Sequence, residues 1–243
     1  MKEMQGSSIG TGQVDQAAVK KNLLRDLFGV IFDPSRTFTS IIGAGSWVGI
    51  VLVILIVSGA LEQIYHNLII EASIAKMLEK AGDNPAGMQQ AMSFFQNQAI
   101  TRILYSLGTM VSQIVFLLIW TVLCFFLCSV VFGGTAKFKS VWIVCAWAYV
   151  IILLQLIVKT PLILATKSVE AGLNFGLIFG DQMVGAKLHN AISAIDLFGI
   201  WHFIIMGIGL AALYRFSTRK GIGIAFIIWL FFVIVGGTAA YLS

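Results

Sequence analysis

The chain has 243 residues, 58% apolar and only 11% charged, with a formal net charge of +5 and a mean hydropathy of +0.93. Soluble domains carry roughly 25% charged residues, so a water-soluble globular protein is excluded and an integral membrane protein is implied. The positive balance suits anionic lipid headgroups. Nucleic-acid binding is set aside, because the cations are scattered at the ends of apolar runs with no basic stripe or aromatic platform.

In chain order, residues 1–16, with Gly-Ser-Ser and Gly-Thr-Gly among them, read as a disordered tail. Over 17–34 the pattern predicts a cytoplasmic amphipathic helix. Val19, Leu23, Leu27, Val30 and Ile31 share one face while Lys20, Lys21 and Arg25 project elsewhere. Such a helix either lies in the headgroup layer or packs on the cytoplasmic end of the bundle. Pro34 stops it, since proline disfavours helical geometry at Asp33 and has no N–H to donate. Asp33 or Ser35 then caps a turn leading through Phe38 into the first span.

The remainder, 35–243, is expected to be an all-α polytopic bundle with five transmembrane helices. A span takes about 20 mostly apolar residues, and 47–64, 107–132, 141–158, 197–214 and 222–242 qualify. The runs are too long, and lack the two-residue alternation, for a β-barrel. No cleaved signal peptide is expected, and the first span serves as its own insertion signal. The long loop 65–102 reads as a helical hairpin on the outer face, broken at Ala81-Gly82-Asp83-Asn84-Pro85. The loop 159–196 contains a short Gly-rich apolar stretch, 173–180, read as a re-entrant or interfacial element. Gly207, Gly209, Gly221 and Gly223 offer small surfaces for close helix approach.

Orientation follows Lys and Arg in the loops. With five spans, ten cations fall on the side of the N-terminus and six on the other, which also holds seven of the eleven acids. The turn at 215–220 alone contributes Arg215, Arg219 and Lys220. The N-terminus is therefore expected in the cytoplasm and the C-terminus outside.

Three landmarks in this order resemble a known family. They are Asp33-Pro34-Ser35-Arg36-Thr37-Phe38 before the first span, Gly133-Gly134 followed by Phe138 before the third, and Asp196 with Trp201 opening the fourth. The chain resembles a bacterial member of the Yip family, five-span membrane proteins named for binding Ypt/Rab GTPases in eukaryotes. The resemblance implies the fold, the topology and a bacterial cytoplasmic (inner) membrane. It does not bring GTPase binding with it. Eukaryotic relatives have an Asp-Leu-Tyr-Gly-Pro motif, whereas Asp26-Leu27-Phe28-Gly29 is followed here by Val30, and bacteria lack the Rab partners.

Ionisable groups in or near spans are the functional candidates. Glu62 and His66, four apart, are read as a hydrated hydrogen-bonding pair at the outer interface. A metal site or proton relay is the weaker reading, as two ligands lack a third. Asp196 is read as the cap of the fourth span and His202 as a structural hydrogen-bonding group within it. Cys124, Cys128 and Cys145 read as small buried hydrophobes. No nucleophile–base pair, phosphate loop or ligand cluster is found, so no enzyme, metal or cofactor is expected. The expected role is a membrane scaffold or accessory subunit; the alternative is a small oligomeric transporter, channel or lipid-moving protein. The expected partners are the bilayer and an unidentified membrane protein, with a homo-oligomer left open.

Overall fold

In the computed structural model the described residues are 23–44, 47–81, 98–169, 171–177 and 195–242, with isolated positions 86, 87, 89, 93, 188, 189 and 192. The predicted tail 1–16 and the first six residues of the predicted amphipathic helix lie outside them. Helix α1, Leu23–Phe32, ends at Asp33, and α2, Pro34–Ala44, begins at once. Proline is well placed there because the first helical position has no N–H bond to lose.

The apolar face predicted for the first helix is used for packing. Val30 is fully buried, and Leu23, Leu27 and Ile31 pack against the core. Asp33 serves both helices. Its N–H donates to the Gly29 carbonyl at 2.8 Å, closing α1, and its carboxylate accepts from the Arg36 N–H at 3.4 Å, opening α2. The sequence suggested a short turn between Asp33 and the first span. Instead the eleven residues of α2 intervene, and α3, Val48–Ile64, leaves at 117° to it.

Helix α4 spans His66–Ala81 and provides the first limb of the expected outer hairpin; most of the second limb lies outside the described residues. Helix α5 spans Gln98–Phe125 and continues as a π-helical segment, Phe126–Val131. The wider winding ends where the Phe132 N–H donates to the Leu127 carbonyl, five residues back. Helices α6, Phe138–Ala148, and α7, Val150–Thr166, form one apolar run that changes winding at Tyr149 and passes through Pro161. The last pair is α8, Leu197–Tyr214, and α9, Thr218–Leu242.

Among the described residues three helical runs are long and apolar enough to cross a membrane: Ala99–Val131, Phe138–Thr166 and Leu197–Tyr214. The bent pair α2–α3 would make a fourth. Ala99–Val131 and Phe138–Thr166 are longer than the expected spans 107–132 and 141–158, because the helix continues through flanking residues such as Arg102 and Lys159.

Helix α6 lies at the centre, with Val141 and every residue from Ile143 to Ala148 buried. A helix apolar on all sides belongs inside a bundle. Around it the glycines of α8 and α9 permit backbone contact. A β-carbon on Gly207 would meet the backbone of Ile222, and one on Gly221 would meet the Gly207 carbonyl. Gly223, expected to share this role, faces open space; it lies two residues beyond Gly221 and so points away from the seam.

Candidate functional site

The landmark residues turn out to be joints of the bundle. Phe38, on α2, is fully buried and points at α8, its ring edge 3.0 Å from where a β-carbon of Gly209 would stand. Gly29 faces Thr37 so closely that any β-carbon would collide with the hydroxyl, which lets α1 and α2 meet at their corner. Pro34 and Asp33 set that corner, and Arg36 is exposed on it.

The Gly133-Gly134 turn has two separate causes. Gly133 has φ +67°, a region L-residues rarely enter. A β-carbon at Gly134 would strike the Tyr214 ring and the Cys128 carbonyl. Tyr214 is held there by Ser129, 2.8 Å from its hydroxyl, and by stacking on Phe216. The Lys220 ammonium covers the Phe216 ring at 3.9 Å. Phe138 anchors the start of α6 by edge contact with Phe125.

Asp196 caps α8, its carboxylate accepting from the Gly199 N–H at 2.8 Å and from the Gln155 amide at 3.1 Å. Backbone pairing of Asn174 with Asp196 fixes the loop 171–177 beside it. This pairing and a 3-10 turn, Phe175–Leu177, occupy the part of the expected re-entrant element that is described. Trp201 stacks on Phe198 one turn into the helix.

His202 is buried, and its Nδ1 lies 3.0 Å from the Ala148 carbonyl. That carbonyl is free because the helix changes winding. The Ile152 N–H, its normal partner, donates to Tyr149 instead.

Glu62 and His66 are separated by a break at Tyr65, and no hydrogen bond joins them. Glu62 turns toward α5 and, with Thr109, lines a cavity of about 320 Å³ between α3, α5 and α7. His66 faces a second cavity with Asn67 and Arg102 and stands edge-on to Tyr105. Glu62 Oε2 and His66 Nδ1 are both buried without a hydrogen-bonding partner. Burial, and then the Arg102 charge, hold the His66 imidazole below its ordinary value.

A polar seam runs between α3–α4 and α5 that sequence reasoning missed. Ser58 lies 2.9 Å from the Gln113 amide, Gln63 donates to Ser106, and Arg102 donates to Asn67 at 2.8 Å. The signal was present as polar residues at helical spacing along both runs, read in descending order on one helix and ascending order on the other. The three cysteines are all buried in the core, as expected of small hydrophobes, and Cys124 reaches across to α8, its thiol 3.7 Å from the Met206 sulfur.

No curated protein and no solved structure matches the chain. A family model does, that of the Yip1 domain, over residues 28–239. The match begins inside α1 and ends inside α9, so it takes in every joint described above, and the chain belongs to the Yip1 domain family.

Proposed function

We propose that the protein is a non-enzymatic scaffold or accessory subunit of the bacterial inner membrane. On this reading it is a five-span bundle, N-terminus inside and C-terminus outside, that recruits or steadies membrane proteins or shapes the bilayer. The bent α2–α3 pair supplies the first span and α9 the fifth. GTPase binding is not part of the proposal.

One observation carries it. Helix α1 is apolar on two neighbouring faces. The first packs on the bundle; the second bears Leu24, Phe28 and Phe32 at four-residue intervals, with Phe32 80% exposed. A contiguous exposed apolar stripe calls for lipid or protein against it. Phe38 fixes the α1–α2 corner to the core, so the stripe is a rigid platform, not a loose tether.

The test is deletion of residues 1–32 in the full chain, followed by cross-linking and partner capture in the native membrane. Insertion retained with recruitment lost supports the scaffold; recruitment unchanged by the deletion overturns it. The second reading, a small oligomeric transporter, channel or lipid mover, draws on the polar cavity beside Glu62. It requires purified protein in liposomes to move ions or lipids, with the flux altered in Asp196→Asn.

A further inference from the structure

The cavity between α3, α5 and α7 contains two opposite charges that do not meet. Glu62 enters from α3 and Lys159 from α7, and both line the same space of about 320 Å³. That size is at the lower end of small-molecule sites, about 300–1,000 Å³. Oε2 of Glu62 is buried with no hydrogen-bonding partner. Lys159 has no ion pair or hydrogen bond among the described residues, and its stem lies along Gly172. Asp196, across an adjoining pocket from Lys159, already accepts from Gly199 and Gln155. Unpaired charge in a partly desolvated site is costly, and native structures normally supply a partner.

The cavity is graded along the bundle. Glu62, Thr109 and Lys159 lie at the end remote from the Gly133-Gly134 turn, while Phe116, Ile152 and Leu153 line the part nearer the middle. From Phe138 to the stretch 152–159 is about 20–30 Å of helix at 1.5 Å per residue. A hydrocarbon core is about 30 Å thick. The charged end therefore falls at the far headgroup level when the turn sits at the near one. Ser112 and Phe116 on α5 line the cavity and are exposed on the outside of the bundle, so it opens sideways between α5 and α7.

We infer that this cavity is a binding site for an aminophospholipid of the outer leaflet, its primary ammonium on Glu62 and its phosphate on Lys159. The amides of Gln113 and Gln155 face the glycerol and ester oxygens, and the apolar inner part takes the start of the chains. The unpaired carboxylate oxygen needs an N–H donor. A phosphatidylethanolamine supplies three, a phosphatidylcholine none, and a phosphatidylglycerol no positive charge. The site does not depend on the scaffold role, since its lining comes from α3, α5 and α7 and not from α1; its assignment to the outer leaflet rests on the orientation proposed above.

The test is native mass spectrometry of the full chain released from nanodiscs containing equal phosphatidylethanolamine, phosphatidylcholine and phosphatidylglycerol. One charged hydrogen bond predicts about tenfold more ethanolamine adduct than choline adduct. Glu62→Gln should bring the two lipids level, and Lys159→Met should lower all three adducts, since each lipid carries the phosphate. Ser112→Leu, which narrows the lateral opening without touching either charge, should reduce all adducts while the thermal midpoint stays unchanged. Should Glu62→Gln fail to fold, the ethanolamine-to-choline ratio of the wild type decides the ammonium contact, and Ser112→Leu and Lys159→Met decide the place of the lipid. Equal retention of ethanolamine and choline lipids by the wild type would overturn the site, as would a preference that survives Glu62→Gln. Excess glycerophosphoethanolamine should leave the adducts in place; displacement by it would overturn the assignment to a lipid.

Discussion

The ring edge of Phe38 lies 3.0 Å from the position a β-carbon of Gly209 would take. One residue from the corner motif and one from the middle of α8 thus form a single joint, large side chain into absent side chain. That joint ties α2 to α8, and α3 leaves α2 at 117°. The Asp-Pro element and the glycines of α8, which looked like separate features of the sequence, are two halves of one contact.

Its strength can be measured. Phe38→Ala empties a fully buried aromatic position, a change that costs about 3–5 kcal/mol in soluble cores. Gly209→Ala places a methyl against Phe38 and, at 2.6 Å, against Val144; overpacking of this kind costs about 1–3 kcal/mol. Because both act at one contact, the double variant should lose less than the two single losses combined. Thermal unfolding in detergent decides this, and full additivity would mean that the two residues do not share a joint.

In the turn that leads into α6 the two glycines should behave differently. Gly133→Ala meets only the left-handed backbone penalty, about 1–2 kcal/mol, since nothing stands within 4 Å of its side. Gly134→Ala drives a methyl into Tyr214 and a backbone carbonyl, and should be the more damaging. Tyr214→Ala added to Gly134→Ala should recover part of the loss. A Gly134→Ala variant as stable as wild type would remove the steric account of this turn.

Much of the architecture was legible because span-length apolar runs report directly on the membrane. The fourth run was read to the residue, Leu197–Tyr214, as Asp196 gives it a sharp cap and Arg215 a left-handed end. The extra helix α2 was hidden, since Thr37, Thr39 and Ser40 look like loop residues until Thr37 and Thr39 are seen returning their hydroxyls to carbonyls one turn back. The Glu62–His66 spacing misled for a related reason. Four residues share a face only in an unbroken helix, and nothing in Gln63-Ile64-Tyr65 announces the break. Pairings across helices, such as Cys124 with Met206 or Ser58 with Gln113, depend on packing that one chain's periodicity does not encode.

His202 offers a test of whether a buried polar group inside a span serves the backbone. If it donates to the carbonyl that the Tyr149 winding change sets free, His202→Leu leaves that carbonyl unsatisfied, at about 1–3 kcal/mol. Asparagine can place an N–H near the Nδ1 position, so His202→Asn should retain more stability than His202→Leu despite its smaller bulk. Circular dichroism melts of the two variants separate the accounts. The reverse order would show that ring packing against Tyr149 and Phe203 matters more than the hydrogen bond.

His66, only 2% exposed, should make the α3–α4 end of the bundle sensitive to acid. Burial and the neighbouring Arg102 lower its pKa from the ordinary 6.5, so the unfolded chain binds the proton more readily than the folded one. Its contribution is therefore complete above the unfolded value of 6.5 and is lost as the pH falls toward the depressed folded value. The thermal midpoint of the wild type should drop between about pH 7.5 and about pH 5, and His66→Gln, which does not titrate, should drop less over the same interval. Arg102→Gln removes one of the two causes and should weaken the wild-type dependence without abolishing it, because burial remains. Parallel curves for wild type and His66→Gln would assign the acid sensitivity to other groups and leave the buried imidazole a purely structural role.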